Sequence, residues 1–188
     1  MISEDEVRQR VREALDAMAR PAAVEMRPTK VSQSRIALGA DHGGFALKEK
    51  LVAHLRARGL ETRDCGTHSA EPVDYPDFAA AVASLVAAGE CEVGIVIDGA
   101  GIGSCMTANK VPGVRAAACW DISSARNSRE HNHANVLTLG AGLLGEALAR
   151  QIVDEWLATP WGGERHARRV AKIDEVERRY STALGAAR

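Results

Sequence analysis

The run "VGIVID" at residues 93–98 constrains the fold more than any other stretch of the chain. Five apolar or small residues stand in a row, ended by Asp98 and then by Gly99, Gly101 and Gly103. A strand that is apolar on both sides is covered on both faces, the situation of a strand inside a parallel sheet packed between helices. The neighbouring segments agree. "RIALGA" is a second short apolar run, "LETRDCG" a weaker strand, and "VRAAACW" and "ANVLTLGA" two more. Between them lie helical patterns: "FALKEKLVAHLRARG", closed by Gly59, "YPDFAAAVASLVAAGE", starting near Pro76, and "SSARNSREHN". "GEALARQIVDEWLATP" and "RHARRVAKIDEVERRYSTAL" complete the chain as helices. Five strands joined by helical crossovers imply an α/β fold, a Rossmann-like three-layer α/β/α sandwich with a five-stranded parallel sheet. Ligands in such sheets bind beyond the carboxyl ends of the strands.

The first 34 residues stand apart from this pattern. Ser3 and Glu6 form a capping box, and Val7, Val11, Ala14, Leu15 and Met18 share one narrow helical stripe. A separate amphipathic helix is expected over residues 1–20, a linker with two prolines over 21–34, and the main domain over 35–188.

Composition excludes several classes. The net charge is −1 with 26% charged residues and no basic run, so nucleic acid is not an expected partner. Cys65, Cys91, Cys105 and Cys119 lack metal-ligand spacing and are expected as reduced thiols, with no metal and no cofactor. No apolar run approaches the roughly 18 residues a membrane span needs, so the expected compartment is the cytoplasm.

Three stretches carry chemistry. The loop "GAGIG" after the third strand exposes backbone N–H groups suited to an anion or an enolate oxygen. Read as a dinucleotide loop, with Asp121 as the ribose acid, it fails at its sixth position, Ser104, and follows the third strand rather than the first. His131 and Asn132 end a helix just before the fifth strand and are expected to face the glycine loop. Arg165 and Arg169, four apart on one helical face, suit bidentate capture of a phosphate.

Taken together, "ADHGGFALKEKL", "DYPDFA", "GAGIG…ANKVPGVRAA", "SARNSREHNHANVLTLGA" and "RHARRV" resemble the ribose-5-phosphate isomerase B / galactose-6-phosphate isomerase family. The resemblance covers roughly residues 35–180. It implies metal-free interconversion of an aldose and a ketose phosphate, ribose 5-phosphate before tetrose or hexose phosphates, through a cis-enediolate. By position, it gives His131 to ring opening, Asp41 and His42 to contacts with the sugar and its phosphate end, and Tyr75 to the pocket wall. It gives Asn132 and the backbone of Gly99, Gly101 and Gly103 to the enediolate, and Arg165 and Arg169 to the phosphate. It also implies a homodimer or homotetramer with sites shared between subunits. The N-terminal helix and linker resemble the encapsulation peptides of bacterial microcompartments, which would dock through Val7, Val11, Leu15 and Met18.

The chain departs from the family in three places, at four positions. Asp98 stands where the common members have the proton-transferring cysteine, and Ala100 where they have threonine. Ser104 stands where a second branch has a catalytic glutamate, and Gly142 where many have an arginine. "IVIDGAG" is closer to the A-type subunit of galactose-6-phosphate isomerase, which also has aspartate there. Two readings of Asp98 follow. In one it is the base, its pKa raised by the apolar strand end. In the other it caps the glycine loop, and the chain is a partner-dependent, sugar-phosphate-binding subunit.

Overall fold

The computed structural model describes residues 35–186, with side chains to residue 181. The expected N-terminal helix and linker lie outside the described residues. The five strands are β1 (Arg35–Ala40), β2 (Glu61–Asp64), β3 (Val93–Asp98), β4 (Ala116–Ala118) and β5 (Val136–Gly140). The helices are α1 (Phe45–Ala57), α2 (Tyr75–Ala87), α3 (Ile102–Ala108), α4 (Ile122–Glu130), α5 (Glu146–Ala158) and α6 (Glu164–Ala186). All strand pairs are parallel, in the order β2-β1-β3-β5-β4. The chain steps from β1 to one side for β2 and to the other for β3, so the crevice at the topological switch lies between β1 and β3.

Alternation within the apolar runs feeds two cores. Ile36, Leu38, Ile95, Ile97, Leu137 and Leu139 point to the face covered by α1, α4 and α5, where Leu51, Ile152 and Trp156 are fully buried. Ala37, Val96 and Val136 point to the other face, under Val82 and Ala83 of α2. That second layer sits close because the sheet offers glycine there. A side-chain carbon on Gly94 would fall 2.4 Å from a Val82 methyl, and one on Gly39 2.8 Å from another. Gly59, at φ +77°, closes α1 as expected. No helix among the described residues is long and apolar enough to cross a membrane.

One element was not expected. The glycine-rich stretch after β3 does not stay a loop but winds into α3, because left-handed Gly101 starts it and the Asp98 carboxylate caps its first turn through the Ser104 N–H.

Candidate active site

The carboxyl ends of β1 and β3 build one mouth from two tight turns. In the first, Asp41 Oδ1 accepts the Gly44 N–H at 2.9 Å, turning the chain from β1 into α1. Gly44 passes so close over β3 that an added side-chain carbon would lie 2.2 Å from the Ile97 carbonyl oxygen. His42 is exposed, its Nδ1 lying 3.2 Å from both the amide nitrogen and the carbonyl oxygen of Val73. Tyr75, at the start of α2, lies on the glycine stretch. A carbon added to Gly103 would meet two of its ring carbons and its hydroxyl oxygen at 2.6–2.8 Å.

The second turn is organised by Asp98, which is only 4% exposed. Its Oδ1 accepts from Ala100 N–H at 2.8 Å and closely from Gly101 N–H. Its Oδ2 accepts from Ser104 N–H at 3.0 Å and Ser104 Oγ–H at 2.5 Å. Burial pushes this carboxyl up, but the donations of the Ser104 hydroxyl and of the Gly101, Ser104 and Ala100 amides prevail and hold it below its ordinary value. The expectation that an apolar strand end raises the pKa is thus corrected: the strand end is apolar, yet the loop folds four donors onto the acid. The third departure also has a local reason. Gly142 donates to the Gly99 carbonyl at 2.9 Å, and a side-chain carbon at 142 would lie 2.9 Å from that same oxygen.

His131, Asn132, Arg165 and Arg169 gather at the opposite pole. Helix α4 carries the chain from the carboxyl end of β4 back to the amino end of β5, so a residue at its end cannot face the glycine loop of its own chain. Register gives the separation: Val136 pairs with Gly94 and Gly140 with Asp98. Four residues along the sheet are about 13 Å. The expectation of a facing loop within one chain is corrected accordingly.

At this pole the His131 ring stacks on His166, centroids 4.3 Å apart and planes within 15°. The Asn127 amide nitrogen faces His131 Nδ1 at 2.9 Å. An amide nitrogen only donates, so in this pair His131 Nδ1 accepts and a neutral ring carries its proton on Nε2. His166 was not anticipated from sequence. It is 6% exposed, and burial first, then His131, Arg165 and Arg169, lower its pKa. Arg165 and Arg169 are exposed on α6. Asn132 lines a cavity of about 240 Å³ together with Asn109, Arg115, Ser128 and Ile173. No cluster of metal-ligating side chains occurs among the described residues.

A sequence model of the family described as Ribose/Galactose Isomerase matches residues 36–173. The chain belongs to that family. Ribose-5-phosphate isomerase B of Escherichia coli (strain K12) is 48% identical over 145 residues, spanning 77% of this chain and 97% of that protein. Ribose-5-phosphate isomerase B of Mycobacterium tuberculosis (strain H37Rv) is 40% identical over 153 residues, 80% of this chain and 94% of that one. Among solved structures, Clostridium thermocellum ribose-5-phosphate isomerase B is 53% identical with a TM-score of 0.77, covering 78% of this chain and 99% of that one. The Mycoplasma genitalium family member, solved with bound ribulose-5-phosphate, is 38% identical with a TM-score of 0.74, covering 77% and 96%. In this family, then, the present chain pairs an aspartate-organised loop at one pole with a histidine–arginine cluster at the other.

Proposed function

We propose that the chain interconverts an aldose phosphate and a ketose phosphate, ribose 5-phosphate and ribulose 5-phosphate first among them, through a cis-enediolate. The observation that carries this reading is the 48% identity to a ribose-5-phosphate isomerase B over 97% of that protein's length. The site's chemistry supports it. Asp41, His42 and Tyr75 line the mouth that receives the sugar, and the Gly99 N–H, which has no acceptor among the described residues, is free for the enediolate oxygen. His131, with a donor Nε2–H, opens the ring. Asn132 helps hold the enediolate, and Arg165 and Arg169 take the phosphate.

Because these groups occupy two poles, the proposal includes a two-fold dimer in which the amino pole of one copy completes the mouth of the other. An apolar face on the β4 edge supports the pairing: Ile102, Met106 and Trp120 are exposed around a cavity of about 550 Å³. Proton exchange tests the reading. In deuterium oxide the protein should place deuterium at C1 or C2 of ribose 5-phosphate while converting it, faster than with tetrose or hexose phosphates. A folded protein that binds these sugars and exchanges none of them defeats it.

A second reading, a sugar-phosphate-binding subunit that needs another chain for turnover, draws on the complete hydrogen bonding of Asp98. The same exchange experiment separates the two. Delivery of the enzyme to a microcompartment by residues 1–34 is a further, separate proposal. A fluorescent protein fused to those residues should form foci in cells making shells, and a diffuse signal counts against it.

A further inference from the structure

Aldose–ketose conversion needs a group that moves a proton between C2 and C1, and the mouth holds two aspartates. They leave neighbouring strands side by side. Ala40 pairs with Ile97, and the next residue, Asp41, donates its N–H to the Ile97 carbonyl at 3.2 Å. Both therefore stand at the switch between β1 and β3, where a ligand would enter.

Their hydrogen bonding is opposite. A carboxylate offers about four lone-pair positions. Those of Asp98 meet four donors: the N–H groups of Ala100, Gly101 and Ser104 and the Ser104 hydroxyl. To accept a carbon-bound proton it would have to release some of them, leaving buried N–H groups without partners at a cost of about 1–3 kcal/mol each. Asp41 is only 8% exposed, yet one donor, the Gly44 N–H, binds its Oδ1, and none among the described residues binds its Oδ2. Beside it is Gly43, which adds no side chain of its own. A carbon built on Gly43 would lie 3.4 and 4.0 Å from the two Asp41 oxygens and 3.8 Å from the Gly99 nitrogen. A carboxylate oxygen without a donor and an unused N–H thus border the same space.

We propose that Asp41, through Oδ2, carries the proton between C2 and C1, and that Asp98 serves only to hold the glycine loop. This rests on the isomerase reading above. The Asp41 carboxylate takes the C2 proton, and the C2–H electron pair forms the C1–C2 double bond. The carbonyl π pair moves onto O1, facing the Gly99 N–H. Asp41 then returns the proton to C1, using the double-bond pair. The O2–H proton passes to O1 and the O2–H pair closes the C2 carbonyl. Nothing is gained or lost, and no co-reactant is needed.

The test is the exchange experiment on three forms of the full chain, with binding of ribose 5-phosphate by calorimetry and melting temperature measured beside it. Asp41→Asn keeps the oxygen that accepts from Gly44, so it should melt as the wild type does and still bind ribose 5-phosphate. Its exchange should fall on the order of a thousandfold. Asp98→Asn turns an amide toward the Ser104 donors, so it should melt lower while losing less exchange than Asp41→Asn. Exchange by Asp41→Asn within roughly tenfold of the wild type overturns the assignment. So does an Asp98→Asn protein with unchanged melting and the larger loss. A wild-type protein that exchanges no sugar phosphate sinks the isomerase reading and this assignment with it.

Discussion

The two poles of the sheet are chemically unlike. The carboxyl pole is acidic and built by turns. Asp41 and Asp98 are buried, and backbone amides a few residues along the chain fix their carboxylates. The amino pole is cationic and aromatic, built by side chains at helix ends: His131 and His133 after α4, Trp161 and His166 around the start of α6, and Arg165 and Arg169 on it. Helix ends explain part of this. The orphan N–H groups of a starting helix donate to carboxylate caps, whereas a helix C-terminus such as that of α4 suits histidine and arginine. Among the described residues, neither pole by itself holds the full set of groups that the proposed reaction needs for opening a ring, moving a proton and holding a phosphate. From this comparison we propose that the chain's complementarity is to a second copy of itself.

The sharpest way to break that conclusion is complementation. Asp41→Asn damages only the carboxyl pole and His131→Ala only the amino pole, and each homodimer should be nearly inactive. Refolded together in equal amounts, half the dimers are mixed, and each mixed dimer carries one doubly damaged site and one intact site. Activity should return to about a quarter of the wild-type level. A mixture no more active than its parents would mean that each chain uses its own two poles, contrary to their separation along the sheet.

Next in size is the stability of the acidic pole. Asp98→Ala leaves the N–H groups of Ala100, Gly101 and Ser104 without their acceptor inside the fold. The loss should be on the order of 3 kcal/mol, or roughly 10 °C in melting temperature. A melt within a degree or two of the wild type would show that the loop does not depend on this carboxylate.

This same loop marks the limit of what could be read from sequence. The continuous apolar runs and their helical spacers were enough for the sheet, its parallel sense and the helix starts, since burial on both faces leaves a plain signature. Asp41, His42, Tyr75, Asp98, His131, Asn132, Arg165 and Arg169 were also visible within motifs. Two things were not. The glycines at 99, 101 and 103 concealed α3, because its cap comes from Asp98, outside the helix, and no local propensity records that. The placement of His131 away from the glycine loop followed from the direction of α4, which motif spacing does not carry. His166 had a signal, lying five residues after Trp161 with Arg165 and Arg169 on either side of it, but its stack on His131 joins residues 35 positions apart.

The cationic pole has its own, smaller signature in pH. His133 stacks on Trp161 with centroids 4.8 Å apart. Burial, then the guanidiniums of Arg115 and Arg129, push it down from 6.5 to about 4, against a weaker pull from Asp174. A folded value below the unfolded one means that the unfolded chain binds the proton first. Stability from neutral His133 is therefore fully present above pH 6.5 and lost as pH falls toward 4. Its partial burial reduces the swing to about 2 kcal/mol. Asp98 also sits below its unfolded value, so its own contribution is lost only at lower pH, below about 4. Denaturant melts across this range should show the upper step vanish in His133→Asn, a residue that accepts the φ of +51° found here. A step that persists in the variant belongs to another group.

The smallest effect concerns the wall of the mouth. A methyl added at Gly103 meets the Tyr75 ring at 2.6–2.8 Å, but that ring is the end of a side chain 39% exposed, free to swing outward. Gly44, whose added carbon would strike the Ile97 backbone at 2.2 Å, has no such relief. Gly103→Ala should therefore cost only about 1 kcal/mol in stability. On the proposed placement of Tyr75 in the wall of the mouth, its kinetic effect should be a rise in KM with kcat little changed, since a wall residue would border the sugar without touching the proton in transit. The amino pole, a sheet's length away, should not register the change: the pH step assigned to His133 should survive intact in this variant. A fall in kcat instead would mean that Tyr75 shapes the reacting end of the mouth and that its ring takes part in holding the enediolate.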